Sequence, residues 1–516
     1  MSTPFDVRDV RPAPASPERQ GLPAWLRFGL IGGLVLVTSL LLAHEIVSPD
    51  VRTVQILFAG VLLVAALRVS SFTSLLFIAI AIPTYKPTTY GGTTLAFVLV
   101  LFILWMVRVS LKLERGAQRT PIDPAVAALF FAYLLSLGQL ESMANVRSSI
   151  FNIFNLMTHI MVCYMVIQLT RTEKQLRTLF GALIVMAALI DLTAVWELMF
   201  PGRALIPGWL NLGAEWAGEY ARKGFEIKGL RVAGVFFDYE LLAEFCAMAM
   251  LMMWFLFQRT QVAWKRVGMG ALLVLNTFVL FSTVTRGAIV SLGIGSAYLI
   301  WHMRRRIRFR TFVIGLFIVV GGGWFVLDFV SHHTHSGNIL ERFEKTEFKG
   351  LVPETRVGVW KQSWERILQK PIFGHGPYYG EKTKGVEQIL FPHNNYLFYW
   401  HMLGIIGLAA FIWLLTKLWR ATRNHADSLT DPTFSRALLF MLRAMLILFF
   451  VDQIKIEFLR NPVYPYWVWM FFGLIVATSR VAAEQSPVYA TAPSPRTAKA
   501  RLRPIPVAPV SPLASS

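Results

Sequence analysis

The chain has 516 residues, of which 55% are hydrophobic and only 16% charged, and its mean hydropathy is +0.53. Apolar runs of about the ~20 residues needed to cross a ~30 Å hydrocarbon layer recur along it. They exclude a soluble globular domain, and the lack of ten-residue alternating segments excludes a β-barrel. The net charge of +20 does not point to nucleic acid: the bases sit largely in short loops between apolar runs and in the polar tail, and no cationic stripe with interleaved aromatics is present.

The composition predicts an all-α polytopic membrane protein with about 12–14 transmembrane helices. Residues 1–24 hold no apolar core, so they read as a disordered cytoplasmic N-terminus and not a signal peptide. The transmembrane domain runs over 25–481. Its candidate spans are 25–44, 51–67, 70–82, 92–107, 122–141, 150–169, 177–199, 239–257, 264–284, 287–302, 311–330, 396–418, 434–452 and 463–479. The stretch 70–82 is the shortest and is either a span or a re-entrant segment. Residues 482–516, rich in Pro, Ala and Ser, cannot bury enough surface to fold and read as a disordered cytoplasmic tail. Cys163 and Cys246 lie in apolar runs as small hydrophobes, not as a disulfide.

Orientation follows from the short loops. Arg108, Lys112, Arg115 and Arg119 stand against Glu114 alone. Residues 301–310 carry five arginines and no acid, and Arg259, Lys265 and Arg266 mark a third basic loop. Placing these loops in the cytoplasm puts both termini inside, and puts the loop 200–238 and the long loop 331–392 outside. The long loop precedes the third-last span.

The outer side then collects the residues that need explaining. Arg286 sits between two apolar runs in Thr283-Val284-Thr285-Arg286-Gly287, a tight turn in which Gly287 allows the bend. It either snorkels to headgroups as a topological anchor or aims its planar fork at a phosphate. Arg231 and Arg356 lie at the same level from distant parts of the chain, and three cations suit a lipid-borne pyrophosphate better than any one alone. His393 follows Pro392 where the chain re-enters the membrane. It is either a structural histidine or a general base.

Asn394 or Asn395 caps the helix that follows or binds a sugar hydroxyl. His375, between Gly374 and Gly376, is a weaker rival for the base because the glycines imply a tight turn in any case. His332, His333 and His335 match no zinc spacing and read as a polar helix exit. Asp452, Lys455, Glu457 and Arg460 either pair internally or line a polar path.

Three stretches carry a resemblance: Arg231-Val232-Ala233-Gly234-Val235-Phe236, Thr283-Val284-Thr285-Arg286-Gly287-Ala288, and the long loop with the helix after it. The last contains Arg356 and Trp360, Pro371-Ile372-Phe373-Gly374-His375-Gly376, Pro392-His393-Asn394, and Leu403-Gly404 with Gly407. Over about residues 225–420 the chain resembles the O-antigen ligase and O-antigen polymerase superfamily of integral membrane glycosyltransferases.

The resemblance implies a GT-C-like fold in the bacterial inner membrane with its active site on the periplasmic side. It implies an undecaprenyl pyrophosphate-linked glycan donor, a lipid-anchored or glycan acceptor, and no metal or other cofactor, with polysaccharide export components as further partners. The activity implied is metal-independent, inverting transfer in lipopolysaccharide or exopolysaccharide biosynthesis. Carried over by motif, Arg231, Arg286 and Arg356 hold the pyrophosphate and His393 is the base. After Phe236 the family has a small residue and a Pro-Asn pair where this chain has Phe237-Asp238-Tyr239-Glu240, which puts sugar recognition there in doubt; Asp238, with Asn394 and Asn395, is a candidate sugar contact. The rival from another class is a transporter of polysaccharide or lipid-linked sugar, and it calls for a continuous polar path through the bundle.

The loop charges make a direct prediction. Reporter fusions at residues 120 and 305 read cytoplasmic, and fusions at 215 and 345 read periplasmic. A cytoplasmic reading at 345 puts His393 on the wrong side for an exported donor.

Overall fold

The structure, a computed structural model, describes residues 70–81, 92–140, 142–200, 232–236, 238–303, 348–349, 352–377, 392–423, 431–461 and 463–485. The helices in chain order are α1 (Ser71–Ala81), α2 (Gly92–Ser110), α3 (Asp123–Leu137), α4 (Met143–Leu169), α5 (Glu173–Met199) and α6 (Tyr239–Arg259). They continue with α7 (Ala263–Ser282), α8 (Arg286–Met303), α9 (Glu354–Gln369), α10 (Asn395–Arg423), α11 (Phe434–Asp452) and α12 (Tyr464–Glu484). A two-residue hairpin, β1 (Phe348–Lys349) against β2 (Val352–Pro353), precedes α9.

Among the described residues seven helices are long and apolar enough to cross a membrane: α4 from Asn145, α5, α6, α7, α10, α11 and α12. Eleven of the predicted spans fall on helices, and 70–82 becomes α1, only 11 residues long. The predicted spans 25–44, 51–67 and 311–330, the N-terminal tail, residues 486–516 and most of the loop 200–238 lie outside the described residues, while residues 482–484, predicted as the start of the disordered tail, continue α12.

Local chemistry sets the ends of these helices. Thr172 and Gln175 form a capping box at α5, and Asp238 caps α6 by accepting from the amides of Glu240 (2.9 Å) and Leu241 (3.1 Å). Asn461 accepts from Val463 and Tyr464 (2.8 and 2.9 Å) to start α12. Of the seven spans α12 is the most enclosed and α7 the least, with Trp264, Val267 and Val274 on its outer surface. A Cβ at Gly473 of α12 would lie 2.7 Å from the Cys163 carbonyl of α4, so a small residue lets these two backbones touch.

The helix ends sort onto two faces. One face joins Arg108 to Glu114, Arg171 to the Gly116 carbonyl, Arg259 to the Pro432 carbonyl, Arg480 to the Thr170 carbonyl and Gln485 to Glu173. The other face gathers the C-terminal ends of α5, α7 and α11 with the N-terminal ends of α6, α8, α10 and α12.

The long loop is not structureless. Residues 354–369 form α9, whose Ile367 is buried and whose Trp364 meets Trp400 edge-on at 5.4 Å. The tight turn before α8 is also built differently from expectation. Val284, not Gly287, takes the left-handed conformation (φ 51°), while Gly287 lies within α8, where an added Cβ would strike the Lys455 side chain at 2.3 Å. A β-branched residue at positive φ is a true outlier, and bonds hold the chain before and after it: the Thr283 and Val284 amides reach the Val279 and Phe281 carbonyls, and the Thr285 hydroxyl reaches the Tyr239 carbonyl at 3.3 Å.

Helix α10 breaks at Gly404 (φ 68°), and the segment Pro371–Gly376 docks on the break. The amides of His375 and Gly376 reach the carbonyls of His401 (2.9 Å) and Met402 (3.0 Å), and the Ile405 amide reaches the Pro371 carbonyl (2.9 Å). A Cβ at Gly404 would lie 1.9 Å from the Ile372 carbonyl oxygen. Gly404→Ala therefore destabilises by more than about 1 kcal/mol, read as a lower melting temperature of the purified protein. Gly293→Ala, where a Cβ meets nothing within 4 Å, leaves it unchanged or raises it.

Candidate functional site

The site lies on the second face, where four helix beginnings converge on the turn that ends α11. That turn is Asp452–Lys455. Lys455 is paired with Asp452, which also accepts from the Ser291 hydroxyl of α8 (2.6 Å). Gln453 donates to Glu244 of α6 (2.9 Å). Two carbonyls of the turn face outward to other elements: that of Gln453 accepts from the Asn395 amide (2.8 Å), and that of Lys455 accepts from Arg356 Nη1 (2.7 Å).

Arg356, in the first turn of α9, uses Nη2 to reach Glu240 Oε1 at 3.2 Å. The other oxygen of Glu240 stands 3.6 Å from His393 Nδ1. One carboxylate thus lies between a guanidinium and an imidazole. Arg286 opens α8 beside them; burial, and then the like charge of Arg356, lower its pKa from the usual arginine value. Two arginines predicted from distant motifs are therefore electrostatic neighbours. The third, Arg231, lies outside the described residues. Its neighbour Val232 donates to the Ser282 carbonyl at 3.4 Å, at the turn that leads into Arg286.

His393 is held from both sides in a left-handed backbone conformation (φ 49°), which histidine tolerates better than most residues. Before it, the Pro392 carbonyl accepts from Trp360 Nε1 at 2.8 Å. After it, Asn394 Oδ1 caps α10 by accepting from Tyr396 (3.0 Å) and Leu397 (3.1 Å). The side chain of His393 remains 37% exposed, open enough to meet a ligand.

The other candidates take different places. Asp238 and Asn394 are both helix caps. Asn395 is fully buried, and neither of its side-chain amide atoms has a partner among the described residues. His375 has its Nε2 2.8 Å from the Arg366 carbonyl and stacks on His401, with ring centroids 4.8 Å apart, inside the docked Pro371–Gly376 segment. Of the charged residues at the end of α11, Asp452 and Lys455 pair internally, and Glu457 is buried. His332, His333 and His335 lie outside the described residues. Among those described, no three His, Cys, Asp or Glu side chains come together as metal ligands.

Arg286, Arg356, His375, His393 and the Gly404 break all fall within one stretch of chain. Residues 271–412 match a family described as O-antigen ligase. The match spans most of α7, all of α8 and α9, and α10 to just past the break. It leaves out Arg231, Glu240 and the turn after α11. Comparison with curated proteins gives no match. The chain is thus a polytopic helical membrane protein that is similar, over residues 271–412, to O-antigen ligases.

Sequence reasoning passed over Glu240 as a site residue. It was visible only as a departure from a family pattern, and nothing in the spacing of residues 240, 356 and 393 signals that they meet. Glu244, one helical turn further along the same face of α6, was missed for the same reason.

Proposed function

We propose that the protein is a metal-independent, inverting glycosyltransferase that acts at the periplasmic face of the bacterial inner membrane. It moves glycan from an undecaprenyl pyrophosphate-linked donor onto a sugar hydroxyl, in the manner of an O-antigen ligase or polymerase. The observation that supports the reading is the contact of Arg356 and His393 with one carboxylate at one end of the bundle, with Arg286 close enough to Arg356 to feel its charge; all three lie in the segment similar to O-antigen ligases. The basic loops on the opposite face favour that face as cytoplasmic.

Arg286 and Arg356, with Arg231, take the pyrophosphate. As the bond from the anomeric carbon to the phosphate oxygen breaks, the leaving group gains negative charge. Cations placed where charge develops stabilise the transition state more than the ground state. His393, unprotonated, removes the proton from the acceptor hydroxyl as its oxygen attacks the opposite side of the anomeric carbon. A single displacement needs one base and inverts the centre, whereas a double displacement needs a nucleophilic carboxylate as well. Asn395, Asn394 and Asp238 are the sugar-contact candidates, and Asn395, with its unpartnered buried amide, is the first of these to vary.

Two substitutions test the reading, with transfer from a synthetic lipid-pyrophosphate glycan and donor affinity measured in parallel. His393→Ala lowers turnover by about 10²–10⁴ and leaves donor binding intact, because the arginines carry the anion. A base must be neutral to accept a proton, so wild-type activity falls toward acid pH. His375→Ala weakens the fold of its segment and leaves residual transfer well above that of His393→Ala. Wild-type turnover by the His393 variant removes it as the base.

Arg286→Lys is nearly as damaging as Arg286→Ala, each costing about 2.7–4 kcal/mol in the barrier by analogy with loss of one oxyanion donor, because a point charge does not replace the planar fork. Normal transfer by the lysine variant at normal expression returns Arg286 to the anchor role. Ligase and polymerase are told apart by deletion: loss of a ligase leaves long lipid-linked chains, and loss of a polymerase leaves single repeats.

A further inference from the structure

We propose that Glu240 is the positioning carboxylate of this site, setting the orientation of His393 through Nδ1 and at the same time fixing Arg356. The proposal rests on the reading of His393 as the base. Its geometry is independent of that reading: Glu240 Oε1 is 3.2 Å from Arg356 Nη2, and Oε2 is 3.6 Å from His393 Nδ1. Each oxygen thus has its own cationic or polar neighbour, and the two neighbours come from different elements.

The carboxylate itself is well anchored. Glu240 is the second residue of α6, its amide bonded to the capping Asp238 at 2.9 Å. A negative side chain in the first turn is favoured by the partial positive charge of the helix N-terminus. Its side chain is 17% exposed, so its charge is poorly screened by water. His393 is equally constrained in its backbone by the Trp360 bond to Pro392 and by the Asn394 cap. Those bonds hold the backbone, and a carboxylate facing Nδ1 bears on the rotation of the imidazole ring.

The 3.6 Å gap is longer than a hydrogen bond, and gaps of this kind shorten when a substrate assembles the site. With Nδ1 directed to Glu240, the proton of the neutral ring resides there and the lone pair sits on Nε2. The step then balances. The acceptor O–H proton passes to Nε2 while its oxygen bonds to the anomeric carbon, and the carbon–oxygen bond to phosphate breaks with its electron pair on the pyrophosphate. The imidazolium so formed lies against the Glu240 carboxylate, and its extra proton goes to water on product release.

This assigns Glu240 two effects that a purely structural ion pair lacks: it selects the tautomer and it stabilises the protonated ring. The charged groups around His393 are Glu240 on α6, Arg356 on α9, Arg286 at the start of α8, and Lys455 with Asp452 at the end of α11. Of these, Glu240 stands 3.6 Å from the imidazole Nδ1.

The test uses the full-length protein with a synthetic polyprenyl-pyrophosphate glycan, read as release of polyprenyl pyrophosphate, with polyprenyl pyrophosphate binding measured alongside. Glu240→Gln lowers turnover by at least about tenfold, toward the roughly 10⁴-fold scale for amidating the orienting carboxylate of a Ser-His-Asp triad. Binding stays within about threefold of wild type. In the His393→Ala background the same substitution adds no further loss.

Glu240→Asp keeps the charge but shortens the reach to Nδ1, and lowers turnover with polyprenyl pyrophosphate binding retained. Should the Gln variant fail to insert, the Asp variant decides: reduced turnover with binding retained supports the assignment, and wild-type turnover overturns it. Glu240→Gln at wild-type rate, while His393→Ala is dead, overturns the proposal and leaves the base intact. Full activity of His393→Ala overturns the base itself.

Discussion

The site depends on one short piece of backbone, the turn at the end of α11. Its two outward carbonyls, of Gln453 and Lys455, accept from the start of α10 and from Arg356 of α9, while its side chains hold α8 through Ser291 and α6 through Glu244. Four elements that begin at residues 239, 286, 354 and 395 are thereby fixed relative to one another. Carbonyls at a helix C-terminus lack intrahelical partners, so donors from neighbouring elements satisfy groups that would otherwise be left without a bond near the membrane surface. The requirement that buried polar backbone be paired is thus the same requirement that assembles the arginines and the histidine.

A second backbone constraint acts from the other side. The break in α10 at Gly404 frees the carbonyls of His401 and Met402, and these are taken by the amides of His375 and Gly376 and by the Ser136 hydroxyl at 2.6 Å. Irregular backbone at membrane depth is tolerated where protein re-satisfies it, and the Pro371–Gly376 segment does so. Glycine is required at 374 and 404 because a Cβ at either would lie within 2.3 Å of a carbonyl oxygen on the facing segment. Docking this segment ties the C-terminal end of α9 to α10. The start of α9 is already tied to Lys455, so both ends of the helix that carries Arg356 are held.

How much of this was legible in the sequence follows from the range of each interaction. The spans were readable because burial in hydrocarbon acts on each run separately, and eleven of them coincide with helices. The glycines at 374 and 376 were readable as a tight turn, whereas Gly404 stood only in a resemblance motif within one span, and the break there was not read from the sequence. Helix α9 was hidden: its apolar residues, Trp360, Trp364 and Ile367, are spaced for one helical face but dispersed among polar neighbours, and hydropathy alone averages them away. The bend before α8 was assigned to Gly287 on propensity, yet packing overrode propensity. Val284 takes the strained conformation because its neighbours' bonds hold it there, and Gly287 is spent on room for Lys455. Glu240 was hidden for a different reason. Its partners are 116 and 153 residues away along the chain, and only the fold brings them to it.

The pairing of Arg286 with Arg356 carries an energetic consequence for any anion that binds there. Burial first, and then the charge of Arg356, lower the pKa of Arg286, the second because the two guanidinium groups repel each other. Arg356 is relieved in part by Glu240 and by the Lys455 carbonyl, so the pair is held together by the scaffold, not by mutual attraction. On the function proposed above, a pyrophosphate bound there would relieve that repulsion by contacting both guanidinium groups. The gain grows as the leaving group acquires charge, because the donors are already in place and nothing must reorganise at the moment of reaction. A carboxylate shared between Arg356 and His393 then couples the two halves of the site.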